Sequence, residues 1–145
     1  MAAIERRPPG GPKYPVYIGS AFVSWKTGHT NRLFAGTTVE YRTGTYDFVV
    51  IQEIFEPDNR RIKSYNASVF FGDELLVGDV GLSGRIGYYI YNPILQGANI
   101  YAKLGITYYV PLPFLGQHTQ YTVGINLKSH YAVADYISLS TGFAF

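Results

Sequence analysis

From Val16 to the end of the chain, apolar and polar residues alternate with a period of two. That is the period of a β-strand whose two faces meet different surroundings. Over residues 33–41 the odd positions carry Leu, Ala, Thr, Val and Tyr, and the even ones are mostly small or polar. Over residues 121–128 the odd set is Tyr, Val, Ile and Leu, against Thr, Gly, Asn and Lys. The last stretch puts Ile137, Leu139, Thr141, Phe143 and Phe145 on one face and Tyr136, Ser138, Ser140, Gly142 and Ala144 on the other. No apolar stripe at helical spacing is present. The pattern predicts strands over residues 16–26, 31–42, 45–56, 62–72, 76–91, 98–110, 119–130 and 136–145. Pro57, Pro93, Pro111 and Pro113 fall between the strands or just past their ends, where no ladder hydrogen bond is lost. Turn chemistry at Thr27-Gly28, Asp58-Asn59, Gly72-Asp73, Asn92-Pro93 and Gly116-Gln117 marks breaks.

Residues 1–15 hold four of the eight prolines and show no periodicity. They read as an irregular Pro/Gly-rich arm ahead of a single barrel domain over 16–145. They contain no apolar core of the kind a secretory signal needs. Eight strands in up-and-down order predict an all-β fold, a closed antiparallel eight-stranded barrel without free sheet edges.

Alternation alone allows two orientations. A soluble barrel buries its apolar face, whereas a membrane barrel turns that face outward and keeps small and polar residues in the lumen. Three features favour the transmembrane form. Tyrosines gather near strand ends (Tyr14, Tyr17, Tyr88, Tyr89, Tyr91, Tyr108, Tyr109, Tyr131, Tyr136), as interfacial girdles require. The strands are long for a soluble sheet and suit a tilted membrane strand. The chain also closes on an alternating strand ending in Phe145, which resembles the assembly signal of bacterial outer-membrane barrels.

Composition narrows the classes further. The 145 residues include 12 Lys plus Arg and 10 Asp plus Glu, a net charge of +2. That gives no electrostatic footprint for nucleic acid. Zero cysteine excludes a disulfide scaffold, a zinc finger and a thiol enzyme. Aromatics reach 17% while charged residues are only 15%, well below the usual quarter. His29, His118 and His130 have no paired spacing for a metal, no calcium loop is visible, and no cofactor is called for. Gly81, Gly84 and Gly87 read as packing room rather than a phosphate loop, and Asn66-Ala67-Ser68 is a glycosylation pattern within a strand. Arg60, Arg61 and Lys63, with Arg6, Arg7 and Lys13, form a basic loop set; as a site it would meet lipid phosphates.

The most specific stretch runs from Asn126 to Tyr136, with His130 just before a turn and Asp135 just after it. A carboxylate beside an imidazole fixes its tautomer and raises its basicity. Such a pair can activate a hydroxyl, and Ser129 and Ser138 are near in sequence. The pair reads equally as a hydrogen bond that stabilises the turn. With residues 68–78, 87–93 and 103–109, this stretch resembles the lipid A 3-O-deacylase family, the acyloxyacyl-hydrolase-like (PagL-like) outer-membrane barrels, in its Bacteroidetes-type members. The likeness covers about residues 65–145. It implies an eight-stranded barrel in the bacterial outer membrane that removes an ester-linked acyl chain from lipid A. It also implies lipid or lipopolysaccharide contact and a lipid-facing site.

In that family a His is followed, one residue on, by a nucleophilic Ser, with an acid on the next strand. His130 matches the histidine and Asp135 the acid, but the nucleophile position holds Ala132. A methyl group cannot attack an ester. Catalytic candidates are therefore His130, Asp135, Ser129 and Ser138, or a water activated by His130. The alternatives are a non-catalytic barrel with a structural or partner-binding role, docking another outer-membrane protein, and a soluble barrel whose Leu/Ile/Val lumen holds an apolar ligand.

Overall fold

The computed structural model describes residues 1–6, 13–53, 57–59, 62–93, 99–112, 119–130 and 133–145. Eight strands form one closed antiparallel barrel in chain order: β1 (Ala2–Arg6), β2 (Lys13–Lys26), β3 (Asn31–Arg42), β4 (Tyr65–Val77), β5 (Val80–Tyr91), β6 (Ile100–Pro111), β7 (Gln120–His130) and β8 (Val133–Ala144). β1 pairs with β8 and closes the wall. A helix, α1 (Thr43–Gln52), lies between β3 and β4. No described helix is long and apolar enough to cross a membrane.

The number of strands agrees with the sequence pattern, but two of its parts change. The strand expected over 45–56 is α1 in its described part, and residues 54–56 lie outside the described residues. A strand there would have no place in the wall, because β3 pairs directly with β4 from Asn31↔Leu75 to Tyr41↔Tyr65. The segment is instead a connection at the rim, tied by the Thr43 hydroxyl donating to the Pro15 carbonyl at 2.7 Å. The irregular arm expected over 1–15 is also corrected. Ala2–Arg6 is β1, paired with Lys13–Tyr17 of β2 and Tyr136–Leu139 of β8. Its shortness hid its period, and residues 7–12 lie outside the described residues.

The turn expected at Gly72-Asp73 is likewise displaced. Both residues sit inside β4, and the chain reverses at Gly78-Asp79, between the paired Val77 and Val80. Gly78 has φ of 61°, a positive value at the first residue of a two-residue hairpin loop, as a type II′ turn requires.

The apolar face points outward. Leu104, Ile106, Ile125, Ile137 and Leu139 are each more than half exposed, Leu139 at 62%. The lumen is mainly polar: Thr38, Glu40, Arg42, Asn66, Ser68, Glu74, Lys103, Asn126, Lys128 and Ser138 are all buried, beside a smaller apolar set of Val16, Ile18, Phe34 and Phe70. This is the membrane-barrel arrangement. It overturns the alternative of a soluble barrel with an apolar lumen, since most of the Leu/Ile/Val set lines the outside, Val16 and Ile18 excepted. The tyrosines divide. Tyr17, Tyr88, Tyr91 and Tyr108 stand outward as girdle residues, but Tyr89, Tyr109 and Tyr136 are buried in the lumen. Neighbouring tyrosines such as Tyr88 and Tyr89 necessarily face opposite ways on a strand. Tyr131 lies outside the described residues.

Candidate functional site

On β7 the even residues Gly124, Asn126 and Lys128 are buried and face the lumen, while Val123, Ile125 and Leu127 face out. His130 continues the lumen set. The facing strand carries a β-bulge. Lys128 pairs with Tyr136 and Ser129 pairs with Ala134, so Asp135 is the extra residue of β8. The bulge brings the Asp135 carboxylate to the side of His130. Nδ1 of His130 lies 2.8 Å from Oδ2 of Asp135, and the imidazole stacks on the Tyr89 ring at 5.7 Å with an 8° interplanar angle. With Nδ1 donating to the carboxylate, Nε2 carries the lone pair. Nε2 is buried and has no hydrogen-bond partner among the described residues.

Asp135 is shared. Its Oδ2 also accepts from Arg42 at 3.3 Å. Arg42 in turn reaches Glu40 at 3.2 Å and the Tyr89 hydroxyl at 3.4 Å. Glu40 accepts from Lys128 at 2.5 Å and from the Tyr136 hydroxyl at 2.8 Å. Lys128 also donates to the Tyr89 hydroxyl at 2.5 Å. Arg42, Glu40 and Lys128 are almost completely buried. Two cations and two carboxylates thus balance across β3, β7 and β8, with tyrosine hydroxyls filling the remaining positions. Charges out of water persist only when paired and hydrogen-bonded in this way. Toward the opposite end, Arg32 bonds both Glu74 and the Tyr109 hydroxyl, and Tyr109 also donates to Glu74 Oε1 at 2.8 Å.

The sequence candidates therefore separate. His130 and Asp135 meet as anticipated. Ser129 stands on the opposite face of β7, paired with Ala102 and on the side of the exposed Leu127. Ser138 faces the lumen but pairs with Asn126, four residues along β7 from His130. At the strand rise this is roughly 13 Å, and its Oγ lies 3.5 Å from the Asn126 carbonyl. Neither serine is placed beside His130 in this register. His130 holds the lumen face that its alternation with Asn126 and Lys128 indicates, not the lipid-facing position that the family likeness implies. Ala132 lies outside the described residues, as do His118, Arg7, Arg60 and Arg61. Lys13 is exposed, and Lys63 sits 6.0 Å from the Tyr91 ring centroid. Among the described residues no group of His, Asp and Glu has the arrangement of a metal site.

Glu40, Arg42, Lys128, Tyr89 and Tyr136 are the members the sequence reading missed as a group. Their signal was there in part: Thr38, Glu40 and Arg42 repeat on the lumen parity of β3 as Asn126, Lys128 and His130 do on β7. What that spacing could not supply was the register that sets β3 across the lumen from β7.

No curated protein and no solved structure gives a significant match to the chain. The family model described as acyloxyacyl hydrolase, C-terminal domain, matches residues 3–145. With nearly its whole length matched, and folded as an eight-stranded barrel, this chain belongs to the acyloxyacyl hydrolase C-terminal domain (PagL-like) family.

Proposed function

We propose that this protein is an outer-membrane barrel of the lipid A deacylase type that does not run the family's serine mechanism. Its outer wall contacts membrane lipid or lipopolysaccharide, and it serves as a structural or partner-binding barrel. One observation carries this reading. The His130–Asp135 pair is turned into the lumen and tied to Arg42, while neither Ser129 nor Ser138 is placed beside His130 and Ala132 stands where the family's nucleophile would be. The apolar exterior supports the bilayer setting.

A second reading rests on Nε2 of His130, which is buried without a described partner. There it would take a proton from a water molecule, and that water would attack an acyl ester. One experiment separates the two. Lipid A is analysed by mass spectrometry from cells expressing the wild type, His130→Ala, or no barrel. The non-catalytic reading expects three identical spectra. Loss of an acyl chain in the wild type alone would overturn it in favour of the water mechanism.

A further inference from the structure

Arg85, Lys103 and Lys128 form one row across the lumen face of three neighbouring strands. Arg85 of β5 pairs directly with Lys103 of β6, and Lys103 pairs with Lys128 of β7. Like charges set directly opposite each other repel. Lys128 is matched by Glu40 at 2.5 Å. The other two are not. Among the described residues, Arg85 has no ion pair, and its guanidinium lies over the Phe70 ring at 4.8 Å. Lys103 is 3% exposed, and its Nζ has one polar contact, the Met1 sulfur at 3.9 Å.

The lumen carboxylates with described side chains are already engaged. Glu40 holds Lys128 and Arg42, Asp135 holds Arg42 and His130, and Glu74 holds Arg32 and Tyr109. A buried ammonium can shed its proton, but a guanidinium remains charged. Arg85, which is only partly buried, therefore keeps its charge beside the fully buried Lys103, and the described side chains provide neither with a counter-charge.

We propose that the middle of the lumen is a binding site for one small inorganic anion, held between the Arg85 guanidinium and the Lys103 ammonium. Phe34 and Phe70, with ring centroids 6.0 Å apart, and Tyr101 border this level of the lumen. That apolar boundary favours a monatomic ion such as chloride over an organic acid. The bound ion would join β5 and β6 to one another and remove the repulsion along the row. Its role is independent of whether His130 acts on an ester.

The test uses the full chain purified in detergent. Thermal unfolding is followed while chloride replaces gluconate at constant ionic strength. A ligand that binds only the folded state raises the melting temperature with its concentration. The wild type is expected to gain roughly 5 °C, and over the same range Lys103→Met should gain nothing. The exposed Lys13→Met variant should follow the wild type. Chloride NMR linewidths on the wild type give a second measurement that does not depend on a variant folding. They should show excess broadening that bromide displaces. Equal melting temperatures in chloride and gluconate, an equal gain in Lys103→Met, or no excess broadening would each overturn the site.

Discussion

Replacing Glu40 by Gln changes one atom type in the lumen and keeps the side-chain shape. The carboxylate it removes accepts from Lys128 at 2.5 Å, Arg42 at 3.2 Å and Tyr136 at 2.8 Å. Afterwards Lys128, which is 0% exposed, keeps the neutral amide oxygen at position 40 and the Tyr89 hydroxyl as partners but has no carboxylate to balance its charge. Breaking a buried ion pair from one side costs about 3–5 kcal/mol, because the remaining charge stays out of water. The lower end of that range applies here, since Arg42 keeps Asp135. Lys128→Met should cost less, about 2 kcal/mol, because Glu40 would still have Arg42 and Tyr136. The double variant leaves no stranded ammonium. It should be no less stable than Glu40→Gln alone, a coupling of at least about 2 kcal/mol between the two sites. Urea unfolding of the detergent-folded barrel, followed by the gel shift between folded and heat-unfolded forms, measures all three. The exposed Asp47→Asn serves as control, expected within about 0.5 kcal/mol of wild type. A Glu40→Gln loss below about 1 kcal/mol, or additive losses in the double variant, would refute the view that the cluster is an interdependent ionic unit.

Other outcomes follow from the outer wall, the glycines and the hairpin. Ile125→Arg places a charge on the outward face and should cost about 2–4 kcal/mol at the middle of the bilayer; lower folding yield into lipid vesicles is the check, with Thr122→Ser expected to fold normally. Gly87→Ala would drive a methyl into the Tyr101 ring, so a loss of about 1–3 kcal/mol in the same urea assay is expected. Gly78→Val forces a β-branched residue to a positive φ in the β4–β5 turn, and a loss of about 1–3 kcal/mol should appear. Gly28→Ala, where an added Cβ meets nothing within 4 Å, should be nearly neutral by comparison.

Where the alternation was long, the sequence was a reliable guide. β7 and β8 could be assigned face by face from Val123, Ile125, Leu127, Ile137 and Leu139 alone. Two failures have different causes. Tyr46, Phe48 and Val50 alternate and include a β-branched residue, so the segment mimics a strand; only the direct pairing of β3 with β4 forbids it. Ala2–Arg6 is too short to display a period, and its pairing partners are distant or lie beyond a Pro/Gly stretch. The site was half visible. His130 and Asp135 announce themselves as a pair close in sequence. Glu40 lies 88 residues from Lys128, and nothing local says that β3 and β7 face each other across the lumen. Ser138 looked usable for a related reason: the bulge and register that place it beside Asn126 are tertiary facts.

The extra residue at Asp135 also governs which changes of length the last strand can absorb. Removing Asp135 would let the Ser129↔Ala134 and Lys128↔Tyr136 pairs continue without interruption. The loss would fall on one carboxylate, and every side chain beyond it would keep its side of the wall. Removing Ser140 instead would put the rest of β8 out of phase, turning Phe143 inward and Gly142 outward. The same strand is thus forgiving at its beginning and unforgiving toward its end. Length variation among relatives should therefore gather at the rim beside His130 and be absent from residues 137–144.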